Sequence, residues 1–286
     1  MKKLIFCLIL AAAFAMNASA TTTGTFTGPL TNAILSVDLN GGTTSNDCPT
    51  EGWNGSKTTP VLNADPYGVT WSPWGGPTNT CGDGTALPSG TGVSSISKTF
   101  GTKKVTISLP GNLAKYASGY MNSRDRGSPT PNYNTDNDMF RDLLYVGGSS
   151  KQSNNYMQID VNGLTPGMQY QLALYSYDWQ NAKTVNWTAT APINSEGWVA
   201  TNGNFTAPAD EQTITWTSGG ARPAPAVFTL TANSSGVVTV WGWGGDGITG
   251  HNSADTTYIN GFQITPEPAT MTLLCLGGLA LLRKRS

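Results

Sequence analysis

The chain has 286 residues, of which only 12% are charged, and its formal net charge is −1. Residues 21–265 contain 11 basic and 16 acidic side chains, so this part of the chain is mildly acidic. This charge balance excludes the basic surface on which binding to nucleic acid or to an anionic membrane depends. We therefore expect no nucleic acid partner.

The first 20 residues have the three parts of a secretory signal peptide. Lys2 and Lys3 precede an apolar run, 4–14, which is followed by the small residues Ala18-Ser19-Ala20 of a cleavage site. The apolar stretch is shorter than the ~20 residues that a membrane-spanning helix needs. The sequence thus predicts export, with a mature chain that begins at Thr21.

The body, residues 21–265, has the pattern of one all-β domain. Short runs rich in Val, Ile, Thr, Tyr and Trp alternate with Gly, Pro, Asn and Ser clusters, and no stretch keeps a helical period. Pro166-Gly167 suits a type II turn, and Asn233-Ser-Ser-Gly236 predicts a hairpin. The pattern favours a β-sandwich or jelly roll. The predicted strands are 33–39, 93–100, 104–109, 143–146, 156–161, 169–177, 184–189, 212–217, 226–231, 237–243 and 258–264.

Cys48 and Cys81 are the only cysteines of the body. In an exported protein they predict one disulfide, which would pin the loop-rich segment 46–84. Two free thiols or a metal pair are the alternative, although two cysteines with no histidine nearby make a poor zinc site.

A first candidate site lies in the long loop that precedes the middle of the body. Arg124, Asp125 and Arg126 place two guanidinium groups beside a carboxylate. Such groups form paired hydrogen bonds to sugar hydroxyls, but they also brace loops against a fold. Both interpretations are open.

A second candidate in this loop concerns calcium. Asn134, Asp136 and Asp138 alternate oxygen ligands along the chain. The glycine and the distal glutamate of an EF-hand are missing, so the pattern is a weak one. Calcium is the only cofactor that the sequence suggests, and an ordinary solvated loop is the alternative.

The tryptophans divide by position. Trp71, Trp74 and Trp179 lie at strand ends or in loops, where an indole face can stack on a sugar ring and Asp178 can accept hydrogen bonds from its hydroxyls. Loop packing is the alternative for these three. Four others lie in predicted strands, where burial in the core is expected: Trp187, Trp216, Trp241 and Trp243.

No motif in the sequence indicates a particular reaction. His251 is the only histidine, and neither a G-x-S-x-G elbow nor a phosphate-binding glycine loop occurs in the sequence. A glycosidase needs only two carboxylates, and Glu51, Glu196 and Glu211 together with the aspartates leave that chemistry open.

The C-terminus joins three features in a fixed order. Pro266-Glu267-Pro268 keeps the backbone extended. The apolar run 269–282 would form a helix of about 21 Å, short of the ~30 Å hydrocarbon core of a bilayer. The positive-inside rule then holds the basic end in the cytoplasm. That basic end is Arg283, Lys284 and Arg285.

This tail resembles the PEP-CTERM protein-sorting signal of Gram-negative bacteria, in the form common in planctomycetes. The resemblance implies processing by an exosortase, a membrane transpeptidase-like enzyme, at the Pro-Glu-Pro site, with transient anchoring of the short helix in the inner membrane. It also implies that the mature protein is associated with the cell surface and with extracellular polysaccharide. A plain C-terminal anchor, which would keep the same topology without cleavage, is the alternative.

A second resemblance concerns the body. NGLTPGMQYQLALYSYD, followed late in the chain by YINGFQI, is similar to the late strands of galactose-binding-like jelly rolls, which include many carbohydrate-binding modules. The similarity covers residues 104–265 and implies a jelly-roll fold.

These observations predict a signal peptide (1–20), one β-sandwich domain (21–265) and a PEP-CTERM sorting signal (266–286). We expect an exported cell-surface or extracellular-matrix protein with a structural or carbohydrate-binding role and no enzyme activity. The alternatives are a secreted glycoside hydrolase or lyase acting on matrix polysaccharide, and a matrix protein without a specific ligand.

Overall fold

The architecture comes from a computed structural model of the chain. The described residues are 25, 27–39, 72–74, 95–109, 119–125, 140, 142–148, 157–178, 181–191, 208–244 and 256–267. The predicted signal peptide, both body cysteines and the apolar tail lie outside them. Within them, no helix is long and apolar enough to cross a membrane.

The described part of the chain is all-β, as the sequence predicts. In β7, for example, MQIDVN alternates buried and half-buried side chains residue by residue, which is the period of a strand with one face on a core. The strands are β1 (Leu35–Leu39), β2 (Ser72–Trp74), β3 (Ser95–Phe100), β4 (Lys103–Ser108), β5 (Gly119–Asp125), β6 (Asp142–Gly148), β7 (Met157–Asn162), β8 (Gln169–Tyr175), β9 (Lys183–Thr188), β10 (Gln212–Trp216), β11 (Ala226–Thr231), β12 (Val238–Gly244), β13 (Thr257–Ile259) and β14 (Gly261–Pro266).

These strands form three sheets. A five-stranded sheet has the order β11-β8-β14-β1-β2, a six-stranded sheet the order β10-β9-β12-β7-β4-β3, and a three-stranded sheet the order β13-β6-β5. The pairings are antiparallel except that between β1 and β2, which is parallel. Antiparallel sheets of short strands are the class that the turn-rich sequence predicts.

Every predicted strand overlaps an observed one, and the differences have local causes. The predicted run 258–264 is two strands, since Asn260 separates β13 in the three-stranded sheet from β14 in the five-stranded sheet. β2 has only three residues and includes a proline, and β5, GYMNSRD, is mostly polar. Neither carries a hydrophobic alternation that would have predicted it.

Both predicted turns form, and the first is the type II turn that the sequence predicts. Gly167 has a φ of 75°, and the Met168 N–H donates to the Thr165 carbonyl at 3.2 Å, as a type II turn requires. The turn from Asn233 to Gly236 also forms, with a hydrogen bond of 2.9 Å. However, the predicted hairpin is wrong, because β11 and β12 belong to different sheets. A tight turn reverses the chain without determining that the strands on either side pair.

A single apolar cluster takes side chains from all three sheets. Trp187 is fully buried in it, and a Cβ at Gly242 would lie only 2.6 Å from its ring. The Trp187 Nε1–H donates to Ser176 Oγ at 3.1 Å, and the Ser176 hydroxyl donates to the Tyr258 carbonyl at 2.7 Å. The indole thus links β9 to the segment after β8 and to β13.

Two side contacts connect the five-stranded sheet to the six-stranded sheet. On one side, the Gln212 amide accepts a hydrogen bond from the Val227 N–H at 2.8 Å and donates to the Val227 carbonyl at 2.5 Å. On the other side, the rings of Trp74 and Phe100 pack edge to face with centroids 5.9 Å apart. Edge strands of the two sheets therefore meet on both sides of the core.

Glu211, directly before β10, gives the stability of the body a pH dependence. Burial raises the pKa of its carboxyl above the usual 4.5, with a smaller raising effect from Asp210 and an opposing hydrogen bond to Thr213. Because the folded state disfavours the ionised form, ionisation of Glu211 lowers the stability of the fold. The stability that the neutral carboxyl allows is fully present below the unfolded pKa and is lost as pH rises through the folded pKa.

We expect Glu211→Gln to remove this pH-dependent loss of stability, since the amide cannot ionise. The urea midpoint of the variant minus that of the wild type should grow between pH 4 and pH 7. A difference that stays constant over this range would contradict the assignment.

Candidate functional site

The outer face of the six-stranded sheet carries an unexpected row of side chains. In β12, Val238 and Val240 belong to the apolar core, so the alternation of a strand places Thr239, Trp241 and Trp243 on the opposite face. Trp241 is half-buried there, whereas Trp243 is only 1% exposed. Trp241 therefore presents part of its indole at the surface of the sheet.

A hydrogen-bond network fixes the orientation of the Trp241 indole. Its Nε1–H donates to Gln158 Oε1 at 3.2 Å, and the Gln158 amide donates to Asp160 Oδ2 at 3.0 Å. The Thr239 hydroxyl donates to Asp160 Oδ1 at 2.7 Å. All four side chains are half-buried, and the hydrogens that Gln158 and Thr239 donate converge on the Asp160 carboxylate. The network holds an aromatic face beside amide and carboxylate acceptors.

The strand register extends this site across the sheet. Trp241 pairs with Gln158, Gln158 with Ser108, and Ser108 with Ser95, so one line of residues crosses four strands, about 14 Å. The adjacent line also ends in small hydroxyl side chains. Its members are Thr239, Asp160, Thr106 and Ser97. We call these two lines the hydroxyl shelf.

On the other side of Trp241 the same face is closed. Asn186 and Trp243 are each 1% exposed, and Thr188, which pairs with Trp241, is fully buried. The accessible surface therefore runs from Trp241 towards β3. Its chemistry suits a neutral, hydroxyl-rich ligand, because an aromatic surface supplies contact area and a few fixed polar groups supply orientation.

Of the predicted ligand-binding residues, Asp178 is described in full and is completely buried. Its Oδ2 accepts a hydrogen bond from the Asn181 side chain at 2.9 Å, and its backbone carbonyl accepts one from the Trp216 Nε1–H, also at 2.9 Å. In this conformation Asp178 shapes the turn after β8, and its carboxylate is not presented to solvent.

Trp74 and the β5 motif are described in part. Trp74 is 1% exposed, so its indole packs in the core beside Phe100 and offers no open stacking face. Arg124 and Asp125 lie on β5 opposite Leu143 and Asp142, and their backbone alone is described. In the three-stranded sheet, β6 lies between β5 and β13. Two strand spacings therefore separate the strand that carries Arg124 from β13, whose Tyr258 carbonyl accepts a hydrogen bond from Ser176.

The remaining predicted residues lie outside the described residues, and their assignments stay predictions. Among the residues that are described, no group of three His, Cys, Asp or Glu is placed to hold a metal ion. The undescribed candidates are Trp71, Trp179, Arg126, Asn134, Asp136, Asp138, Cys48, Cys81, Pro268, Arg283, Lys284 and Arg285.

Burial was predicted correctly for Trp187, Trp216 and Trp243 and incorrectly for Trp241, although Trp243 is buried on the face opposite the apolar core and not within it. The signal was present in VTVWGWG, where valines and glycines alternate with Thr239 and the two tryptophans. That alternation assigns the indoles to the face opposite the valines. Gln158 and Asp160 show the same alternation in MQIDVN.

The start of the C-terminal motif is part of the fold. Pro266, the last residue of β14, pairs with Tyr170 of β8. The Glu267 N–H then donates to the Gln169 carbonyl at 3.0 Å. The first two residues of Pro-Glu-Pro thus extend the central part of the five-stranded sheet.

Comparison with known families identifies this tail. Residues 265–286 match the family described as the PEP-CTERM protein-sorting motif. The chain therefore carries a PEP-CTERM sorting motif at its C-terminus, as the sequence predicts, which marks it as an exported protein and implies processing by an exosortase. No curated protein matches the chain.

Solved structures resemble the body only distantly. One is the enzymatically active domain of tailspike protein 4 of bacteriophage CBA120, with 9% identity, a TM-score of 0.27, and coverage of 58% of this chain and 20% of that chain. Another is the Clostridium thermocellum endo-1,4-β-D-xylanase 10B, its CBM22-1 and GH10 modules complexed with xylohexaose, with 11% identity, a TM-score of 0.28, and coverage of 52% and 24%. The chain thus spans a quarter or less of these structures, and both TM-scores are too low to indicate a shared fold.

Proposed function

We propose that this exported, PEP-CTERM-sorted chain is a surface or matrix protein whose body binds a neutral polysaccharide without cleaving it. The observation that carries the proposal is the half-buried Trp241 indole, which Gln158 orients beside Asp160 on the open face of a sheet. An extended sugar chain would stack on the indole and continue along the hydroxyl shelf, where serine and threonine hydroxyls exchange hydrogen bonds with its own.

We propose a β-sandwich of the jelly-roll type as the scaffold. Its support is the common apolar core of the sheets and the two side contacts, Gln212 with Val227 and Trp74 with Phe100. Such a scaffold keeps Trp241 on a strand and not on a loop, so the site is held in position before the ligand arrives.

The proposed route to the surface follows from the tail. Signal-peptide export would place the body outside the cytoplasm, the short apolar helix would hold it transiently at the inner membrane, and exosortase cleavage near Pro-Glu-Pro would release it to the cell surface or the extracellular polysaccharide. The bound polysaccharide would then retain the protein in the matrix.

We expect Trp241→Ala to weaken polysaccharide binding five- to thirtyfold, which corresponds to about 1–2 kcal/mol for the loss of one stacking residue. Calorimetric titration of the purified body with soluble xylan, galactomannan and mixed-linkage glucan would measure the change. Thr229→Ala, an exposed substitution on β11 of the five-stranded sheet, is the control and should leave affinity unchanged.

Two other outcomes are informative. Unchanged affinity in Trp241→Ala together with a loss in Trp179→Ala would overturn the site on β12 and move the ligand to the loop after β8. Release of new reducing ends from a bound polysaccharide would overturn the non-catalytic assignment and favour the hydrolase alternative.

A further inference from the structure

The junction between body and tail has no spacer. The matched motif begins at residue 265, inside β14, and β14 lies between β8 and β1 in the five-stranded sheet. The apolar run of the tail begins at Ala269, two residues after Glu267. Only Glu267 and Pro268 therefore separate the last strand of the folded sheet from the apolar run of the tail.

The backbone of this junction is already engaged. Pro266 pairs with Tyr170, and the Glu267 N–H donates to the Gln169 carbonyl at 3.0 Å. An enzyme that cleaves a peptide has to bind it in an extended form with accessible backbone groups, which is how extended peptides are usually recognised. While the last pairs of β14 are closed, β8 occupies one side of this peptide.

The side chain of Glu267 opposes this closed state. Its Oε2 is buried, and none of the described residues donates a hydrogen bond to it. A buried carboxylate oxygen without a donor raises the free energy of the closed form, since opening would return that oxygen to water. The junction thus combines backbone pairing that closes it with a side chain that favours opening.

We propose that the folded body masks its own sorting motif, and that Pro266 and Glu267 have to separate from β8 before the exosortase engages Pro-Glu-Pro. This proposal rests on the processing that the motif implies. Because local openings of this kind are brief and partial, the rate of processing is set by the open fraction of the junction. The body then controls its own release.

The test uses the full-length chain in a host that has an exosortase, with conversion of precursor to mature protein followed by immunoblot. Gln171 and Thr265 are paired across β8 and β14, so Gln171→Cys/Thr265→Cys would lock the pair directly before Pro-Glu-Pro with a disulfide. A Gly-Ser-Gly-Ser insertion between Thr265 and Pro266 would instead move the motif away from β8.

We expect conversion at least fivefold slower in the locked variant and faster than wild type in the insertion variant. Two controls separate locking from other effects. Gln171→Cys/Thr229→Cys places a disulfide between β8 and β11 from the same β8 position, and Thr265→Cys alone tests the residue change. Both should convert at the wild-type rate.

Equal rates in the locked variant and the wild type would overturn the masking proposal alone. Absence of conversion in every variant, wild type included, would overturn the implied processing and the masking proposal with it. The polysaccharide proposal is independent of both results, since it is measured on the isolated body.

Discussion

Gly163→Ala should destabilise the body by about 3–5 kcal/mol. Gly163 has a φ of 80°, and a Cβ there would lie 2.2 Å from the Thr102 carbonyl oxygen. A left-handed conformation costs an L-residue about 1–2 kcal/mol, and an overlap with backbone forces two connections apart at further cost. The turn after β7 would have to move away from the turn between β3 and β4.

A neighbouring glycine provides the matched control. Gly167 has a φ of 75°, but a Cβ there meets nothing within 4 Å. Gly167→Ala should therefore lower the free energy of unfolding only by the cost of the left-handed conformation, about 1–2 kcal/mol. Urea unfolding of both variants separates conformation from close approach, and equal losses in the two would refute the steric argument.

Trp187→Ala should cost about 3–5 kcal/mol of folding stability, the usual effect of removing a large aromatic side chain from a packed core. Trp187 is fully buried, its ring fills the space above Gly242, and its Nε1–H donates to Ser176 Oγ. The substitution removes contacts between β9 and β12 and the link to the segment after β8.

Ser176→Ala separates the hydrogen bond from the packing. It keeps the indole in place but removes both its acceptor and the donor to the Tyr258 carbonyl, so a loss of about 1–3 kcal/mol is expected. Chemical unfolding measured by tryptophan fluorescence and by far-UV circular dichroism gives both values. A loss for Trp187→Ala no larger than that for Ser176→Ala would show that the ring contributes little packing.

Most strands were predictable because each of them carries its own signal, a run of β-branched and aromatic residues between turn formers, which β2 and β5 lack. The pairing of the strands was less predictable. Asn233 to Gly236 forms the turn that its composition indicates, yet it carries the chain from one sheet to the other. Which strands pair depends on contacts distant in sequence, and no local pattern encodes them.

The candidate site shows a different limit. The interpretation of Trp241 as a core residue followed its composition, whereas its alternation with Val238 and Val240 indicated the outer face. Asp178 was predicted to meet a ligand because it lies beside Trp179 in the sequence. Its burial depends on Asn181 and Trp216, whose positions relative to it arise only on folding. The PEP-CTERM motif of the tail was predicted from the sequence, since its three features follow each other directly along the chain.

The amide of Gln212 has a consequence for contacts between copies of this chain. β11 ends its sheet, and an uncovered terminal strand would offer its peptide groups to a strand from another molecule. The Gln212 side chain binds both the N–H and the carbonyl of Val227, as a pairing strand would. An incoming chain would have to displace it, so copies of this domain are less able to join into a continuous intermolecular sheet.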